Sequence, residues 1–402
     1  MHASRWFKIF LITFTSLGLG RIQVGWADSY YSSIGLGLPR YFVSQKAAGM
    51  GGAGIGIAET LSLNAMNPAA NEINSATCLA IQFEYEYANS QSDIGKVNTA
   101  NGNAAGVQFM FPVKKRLTFI SLIQPLTISR YLLKAEQRAD TLDFARTIKG
   151  NGGLSVGSLG LQYGLRDKVY FAALINFNFG SVNEEWDLLF DQADYLDSKD
   201  RYNSHLSGLS YDLGLWLKPF KRWALGGVYK TGCDLDQRTD IRAGSGYTET
   251  LPKGTIHYPQ AFGVGCSYAV ASWQWAVDYY LQNWSRYRVN GRLREDFKDY
   301  QRFSAGVEWL RSNRPTERYS QRIAYRLGVY YAQLPYTNSS GNSVNEKFVT
   351  AGLSLPFQMN NGRVEFAVEA GVRGDRSQFL YQENVYRFTI SLMGGERWFI
   401  RR

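Results

Sequence analysis

After residue 27 the chain contains no apolar run near the ~20 residues that a membrane-crossing helix needs, and a mean hydropathy of -0.27 excludes a bundle of such helices. Cysteine is scarce. Cys78, Cys233 and Cys266 are an odd number without metal-ligand spacing. Cys233 is expected near one end of its strand and Cys266 nearer the other end of the next, several times a disulfide's reach apart. Three unpaired thiols are therefore expected. Histidine is scarcer still: beyond His2 there are only His205 and His257, with no HExxH, no G-x-S-x-G and no histidine cluster. No catalytic residue, metal ligand or cofactor is assigned. The net charge of +10 comes with no basic helix and no arginine-lined face, so a nucleic-acid partner is not expected. Much of the excess lies in short turns, Lys114-Lys115-Arg116, Lys218 to Arg222 and Arg311 to Arg322. A solvated rim or contact with anionic head groups suits such charges. No repeat near 40–50 residues is present, which removes a propeller.

What is abundant points elsewhere. Aromatics reach 15%, with 26 Tyr, 23 Phe and 10 Trp, beside 40 glycines. Tyr and Trp gather where apolar surface meets water, as in the girdles of membrane barrels. Trp216, Trp223, Trp273, Trp275, Trp284, Trp309 and Trp398 are expected near strand ends in such girdles. Residues 1–27 read as a signal peptide: Arg5 and Lys8 precede the apolar run Ile9 to Gly20, and Gly25-Trp26-Ala27 offers a small-residue cleavage site.

From Cys78 onward apolar and polar residues alternate with the period of a strand. Leu79, Ile81, Phe83, Tyr85 and Tyr87 enclose Gln82, Glu84 and Glu86; Phe171, Ala173, Ile175 and Phe177 alternate with Asn176 and Asn178. About fourteen such segments occur, each near the ~9–11 residues that cross a bilayer at a tilt. The expectation is an all-β, transmembrane antiparallel barrel of about 14 strands over 78–402, with its lumen plugged by an N-terminal hatch over 28–77. Connections near 113–115, 166–168, 218–221, 270–272 and 358–361 are tight. Those near 89–103, 131–153, 182–205 and 237–255 read as long loops, the third carrying a short amphipathic helix. Glu84, Glu86, Asp212, Lys230, Asp278, Glu308, Arg326, Glu365, Glu369, Arg373 and Arg387 fall on the lumen phase. Most should pair across strands or hold the hatch.

Two local features break the alternation. Gly49, Met50, Gly51, Gly52 and Gly54 formally match G-x-G-x-x-G, but no strand–helix–strand unit surrounds them. Glycines that permit positive φ and close backbone approach are what a segment folded inside a barrel needs. Asn67-Pro68 adds a rigid turn. A moving hatch and a fixed plug both fit. Pro125, after Gln124 in the third strand, marks a bulge, a kink or a local break, while Pro259 and Pro356 also lie in strands.

AAGMGGAGIGIAET followed by NAMNPAA resembles the hatch of the FadL/TodX-type outer-membrane transporters of hydrophobic compounds. Asp278, Trp284 and Ser285, then Leu327-Gly328-Val329, Pro335 and Gly352 to Pro356, resemble later motifs of that family. The resemblance implies passive movement of fatty acids or aromatic hydrocarbons across the bacterial outer membrane. It also implies a hatch at Gly49–Gly54 and Asn67-Pro68, and sideways exit through a wall opening at Gln124-Pro125. Leu126-Thr127 stands where the family often has Phe-Gly. Lys230 and Arg326 are candidates to hold a ligand's carboxylate. Expected partners are a hydrophobic or lipid substrate, outer-membrane lipids and the barrel assembly machinery, with the chain a monomer. The last strand departs from the usual aromatic end, since Trp398-Phe399 is followed by Ile400-Arg401-Arg402. The alternatives are a structural or adhesive surface barrel, a general porin, and a hydrolase using His205 or His257.

Overall fold

The computed structural model describes residues 29–41, 44–71, 76–92, 95–139, 142–166, 168–190, 196–338, 341–377 and 381–396. The expected signal peptide and Trp398 lie outside these. Fourteen antiparallel strands close into one barrel. In chain order they are β1 (Thr77–Ser92), β2 (Gly95–Lys114), β3 (Leu117–Pro125, resuming as Thr127–Ala139), β4 (Leu142–Arg166) and β5 (Val169–Phe190). Next come β6 (Ser198–Leu217), β7 (Trp223–Lys230, resuming as Cys233–Arg242), β8 (Gly254–Tyr258, resuming as Ala261–Val270) and β9 (Trp273–Gln282). The last five are β10 (Tyr300–Leu310), β11 (Ala324–Thr337), β12 (Ser343–Phe357), β13 (Gly362–Gly374) and β14 (Gln382–Glu396). Pairing of β1 with β14, from Thr77 opposite Glu396 to Gln91 opposite Gln382, closes the wall and leaves no edge.

The alternation in sequence is the two-sidedness of this wall. Phe171, Ile175 and Leu213 point outward and stay about half exposed, whereas Ala172, Leu174 and Asp212 between them are buried. The outward positions form an apolar belt. At the turn end it finishes in aromatics: Trp273 lies 6.2 Å from Trp275 and 6.3 Å from Trp309, and Trp309 lies 5.6 Å from Tyr325. Two tryptophans expected in that girdle are elsewhere. Trp216 points inward, and its Nε1 donates to the Gly56 carbonyl at 3.1 Å. Trp284 is buried in the loop-end core against Phe297, ring centroids 5.8 Å apart. An indole suits a lipid boundary or a core equally well, so strand ends alone do not separate the two.

The long loops are corrected too. Most of 131–153 and 182–205 is ladder: β4 and β5 pair from Arg166 opposite Val169 to Phe144 opposite Phe190. Residues 182–190 and 198–205 are strand, not the amphipathic helix expected there. The loop end of the barrel is therefore a set of long hairpins rising beyond the belt. All three cysteines are free.

An arginine placed outward at Ile175 or Leu213 should cost about 2–4 kcal/mol near the midplane and abolish the heat-modifiable gel shift of a folded barrel. Lys115→Glu, in an exposed turn, should leave that shift intact.

Candidate functional site

Residues 29–41 and 44–71 run through the lumen from the loop end to the turn end. Tyr31 Oη donates to the Tyr381 carbonyl (2.7 Å) beside the β13–β14 hairpin, while Gln162 Nε2 in β4 donates to the carbonyls of Ala69 (3.0 Å) and Asn71 (2.8 Å). Between these ends the hatch has almost no regular structure, so its backbone groups need partners from elsewhere. Three asparagines supply many of them. Asn64 Oδ1 accepts from the amides of Met66 and Asn67 (both 3.1 Å), and its Nδ2 donates to the Gly54 carbonyl at 2.6 Å. Asn67 Nδ2 donates to the carbonyls of Ile55 (2.9 Å) and Leu215 (3.0 Å), tying the hatch to itself and to β6. Asn71 Nδ2 donates to the Pro68 carbonyl at 2.8 Å, closing the turn.

The glycine segment lies flat on the wall. Gly51 and Gly52 have φ of +70° and +82°, and a Cβ on Gly51 would press on the Val329 and Ala305 carbonyls. The wall answers with its own glycines. Gly352 faces Gly49, Gly306 and Gly328 face Met50, and Gly265 faces Gly56. Main chain therefore packs against main chain, which brings wall side chains within reach of hatch amides. Asp278 Oδ2 accepts from the Gly54 amide (2.5 Å) and the Ile55 amide (2.7 Å). Thr350 Oγ1 accepts from the Gly51 amide (2.8 Å), and Arg302 Nη2 donates to the Gly51 carbonyl (3.2 Å). Arg302 also stacks over Tyr330 and Tyr41, its guanidinium carbon 3.5 and 4.3 Å from the ring centroids.

The lumen charges resolve into networks. Arg40 of the hatch pairs with Glu84 and with Glu86 at 3.1 Å. Lys46 pairs with Glu308 at 2.9 Å. Arg373 contacts Glu346 (2.6 Å) and Glu383 (2.8 Å), and Arg387 contacts Glu86 (2.6 Å) and Glu369 (3.0 Å). In the hatch itself Glu59 is held by Ser44 and by Ser62 Oγ at 3.2 Å, and burial pushes its carboxyl above the usual range. The two candidate carboxylate binders are already engaged. Arg326 is buried and bonds Glu308 (2.7 Å) and Glu365 (3.0 Å), with Gly49 packed on its Cβ. Lys230 pairs with Asp212 at 2.9 Å beside an interior cavity of about 60 Å³. That space holds a few waters. Arg302, like Thr350 and Gln162, holds the hatch and was not singled out from the sequence. Arg302 lies on the same strand phase as Glu308, so alternation alone could have found it.

Beside Pro125 the wall ladder stops. β2 and β3 pair from Lys114 opposite Leu117 to Val107 opposite Ile123, and the resumed half of β3 pairs with β4 instead. The Leu126 amide donates to the Leu154 carbonyl of β4 at 2.7 Å. By alternation the position-125 amide would face β2, and proline has none. The freed edge of β3 is taken by the hatch. Leu38 and Pro39 pair with Ile128 and Thr127, and the Arg40 amide donates to the Leu126 carbonyl at 2.8 Å. Among the described residues, side chains span the opening, with Arg130 Nη1 donating to Asn101 Oδ1 at 2.8 Å. A cavity of about 600 Å³ adjoins it, lined in part by Asn103, Pro125, Ile128, Arg130, Ser155 and Phe179. The third and fourth strands stay paired through this point with a one-residue slip, from Pro125 opposite Ser155 to Ser129 opposite Gly152. Parting is confined to the second and third. Gln124 faces inward and is buried, on the 60 Å³ cavity. Of the other in-strand prolines, Pro259 sits at an interruption of β8, while Pro356 keeps its place opposite Arg363.

A closed barrel with an apolar outer belt, an aromatic boundary and a lumen filled by its own N-terminal segment is an outer-membrane β-barrel of the hatch-plugged class. The sequence matches the BamG family over residues 6–402, and the chain belongs to that family. No curated protein matches it. Among solved structures it is similar to the Ralstonia pickettii toluene transporter TbuX, with 15% identity and a TM-score of 0.58 over 87% of this chain and 97% of that one. It is similar also to the CymD monoaromatic hydrocarbon channel, with 17% identity and a TM-score of 0.58 over 89% and 98%. A third is a Pseudomonas aeruginosa FadL homologue, with 12% identity and a TM-score of 0.59 over 90% and 99%. At these identities the likeness is one of fold.

Asp278→Ala should leave the Gly54 and Ile55 amides without their acceptor. Hydrogen exchange in the 49–56 segment should then rise at least about tenfold, equivalent to about 1.4 kcal/mol, with exchange in β5 and β6 unchanged.

Proposed function

We propose that the protein carries hydrophobic molecules, long-chain fatty acids or aromatic hydrocarbons, across the outer membrane by passive diffusion, with sideways exit beside Pro125. The observation that carries this reading is the interrupted ladder between β2 and β3, next to a hatch strand that occupies the freed edge. Unpaired backbone facing hydrocarbon is costly, and here polar side chains and the hatch cover it. Residues 38–40 join the wall opening to the plug, so displacement of the plug and widening of the opening are one movement. In this reading Gln124 and Pro125 form the gate, and Gly49–Gly54 with Asn67-Pro68 form the part that yields. Arg326 is left as a structural ion-pair partner. The similar structures, toluene transporters and a hydrocarbon channel, support the cargo class. Outer-membrane lipids and the barrel assembly machinery are proposed as its surroundings, and a monomer as its state.

One observation favours a sealed structural or adhesive barrel instead. The loop-end lumen is filled by Tyr31, Trp284, Tyr287, Phe297 and Tyr336, and two interior cavities among the described residues measure about 60 and 50 Å³. An apolar site between hatch and loops would need several hundred Å³. Transport requires this cluster to open.

Uptake of labelled hydrocarbons and fatty acids by cells with and without the protein separates the two. Pro125→Val restores the missing N–H and should slow uptake about tenfold, or about 1.4 kcal/mol in barrier, without changing the amount of folded barrel. Uptake equal to that of cells lacking the protein selects the sealed barrel. A wild-type rate in Pro125→Val rejects the lateral route.

A further inference from the structure

The wall carries a second irregularity. β7 is interrupted at Thr231-Gly232 and β8 at Pro259-Gln260, with Lys230 opposite Ala261 on one side and Cys233 opposite Tyr258 on the other. The two interruptions therefore face each other. Pro259 offers no N–H and Gly232 no side chain, so ladder bonds and side-chain cover are lost at one spot. A pocket of about 230 Å³ lies there, lined by Tyr229, Thr231, Gly232, His257, Gln260 and Arg286 among others. Its mouth is on the outside of the barrel. The Tyr229 ring is 4.9 Å from that of Phe262, an outward residue, whereas Val228 and Ala261 beside them are buried.

Its depth follows from the neighbours. Toward the turn end the outward residues are apolar and exposed, Phe262, Val264 and Val277. Toward the loop end β7 presents Asp234, Asp236 and Arg238, all exposed. The pocket thus sits where the apolar belt ends on the loop side, at the level of outer-leaflet head groups. Its charge is cationic. Asp234, His257 and Arg288 are cross-strand partners in one row, and His257 Nδ1 lies 2.7 Å from Asp234 Oδ1. The carboxylate is therefore occupied. Among the described residues Arg286 and Arg288 have no carboxylate partner, and both are exposed.

We propose that this notch binds the phosphate of an anionic lipid of the outer leaflet. Arg286 and Arg288 bond the phosphate oxygens, a task for which the guanidinium fork is suited. Gly232 leaves room for the head group, and Tyr229 and Phe262 lie along the acyl chains. The site is independent of the transport reading, since it faces lipid and not the lumen.

The test uses the full chain in nanodiscs containing a phosphorylated glycolipid, phosphatidylglycerol or phosphatidylcholine, extracted into detergent and weighed by native mass spectrometry. Wild type should retain the glycolipid or phosphatidylglycerol, the retained species naming the head group, and should not retain phosphatidylcholine. Arg286→Gln with Arg288→Gln should lower retention about tenfold, and Lys114→Gln with Lys115→Gln should not. Heat-modifiable mobility confirms that each variant is folded. Equal retention of phosphatidylcholine, or undiminished retention in the arginine variant, overturns the site.

Discussion

The carboxylate of Asp278, accepting the amides of Gly54 and Ile55, is the interaction on which the interior depends. A segment with little helix or strand inside a barrel must find a partner for each buried N–H and C=O. A hydrogen bond of this kind contributes about 0.5–1.5 kcal/mol net, and a buried amide left without one costs about 1–3 kcal/mol. Wall side chains reach those amides because Gly49, Met50 and Gly56 rest against Gly352, Gly306, Gly328 and Gly265. A methyl group at any of these contacts would hold hatch and wall apart. Small residues and buried charges therefore act together: one sets the distance, the other uses it.

The same dependence links plug and wall. Arg40 sits where three structures meet, its amide on the β3 kink and its guanidinium on Glu84 and Glu86 of β1. Two residues earlier, Leu38 and Pro39 serve as a short strand on the edge that β2 has left. Shifting this segment removes ladder bonds at the opening and an ion-pair partner inside at once.

Much of this was legible in the sequence. The strand count followed from alternation because lipid-facing positions are mostly apolar and lumen-facing ones mostly small or polar, as Ile175 and Asn176 illustrate. Beyond the belt that contrast fades. Residues 182–190 and 198–205 have water outside and no thick core inside, so their strand character left no apolar phase to read. Pro125 could be seen as a break, but not which neighbour would be lost. That followed from which side the missing amide faces and from Leu38 and Pro39 occupying the edge. The ion-pair partners of the candidate carboxylate binders were hidden for a related reason: lumen phase places Lys230 and Arg326 inside, while Asp212, Glu308 and Glu365 meet them only through register between strands.

The central claim, that cargo leaves between β2 and the resumed half of β3, is tested most directly by photo-cross-linking. A photoreactive amino acid would replace Ile128 at the opening or Val349, a lipid-facing residue of β12 remote from it. A labelled hydrophobic compound is supplied to intact cells, and its capture is followed during the first seconds of uptake. The account predicts early, saturable labelling at position 128 ahead of position 349. Labelling that rises equally and without saturation at both positions would mean that the compound arrives from the bilayer, and would contradict it.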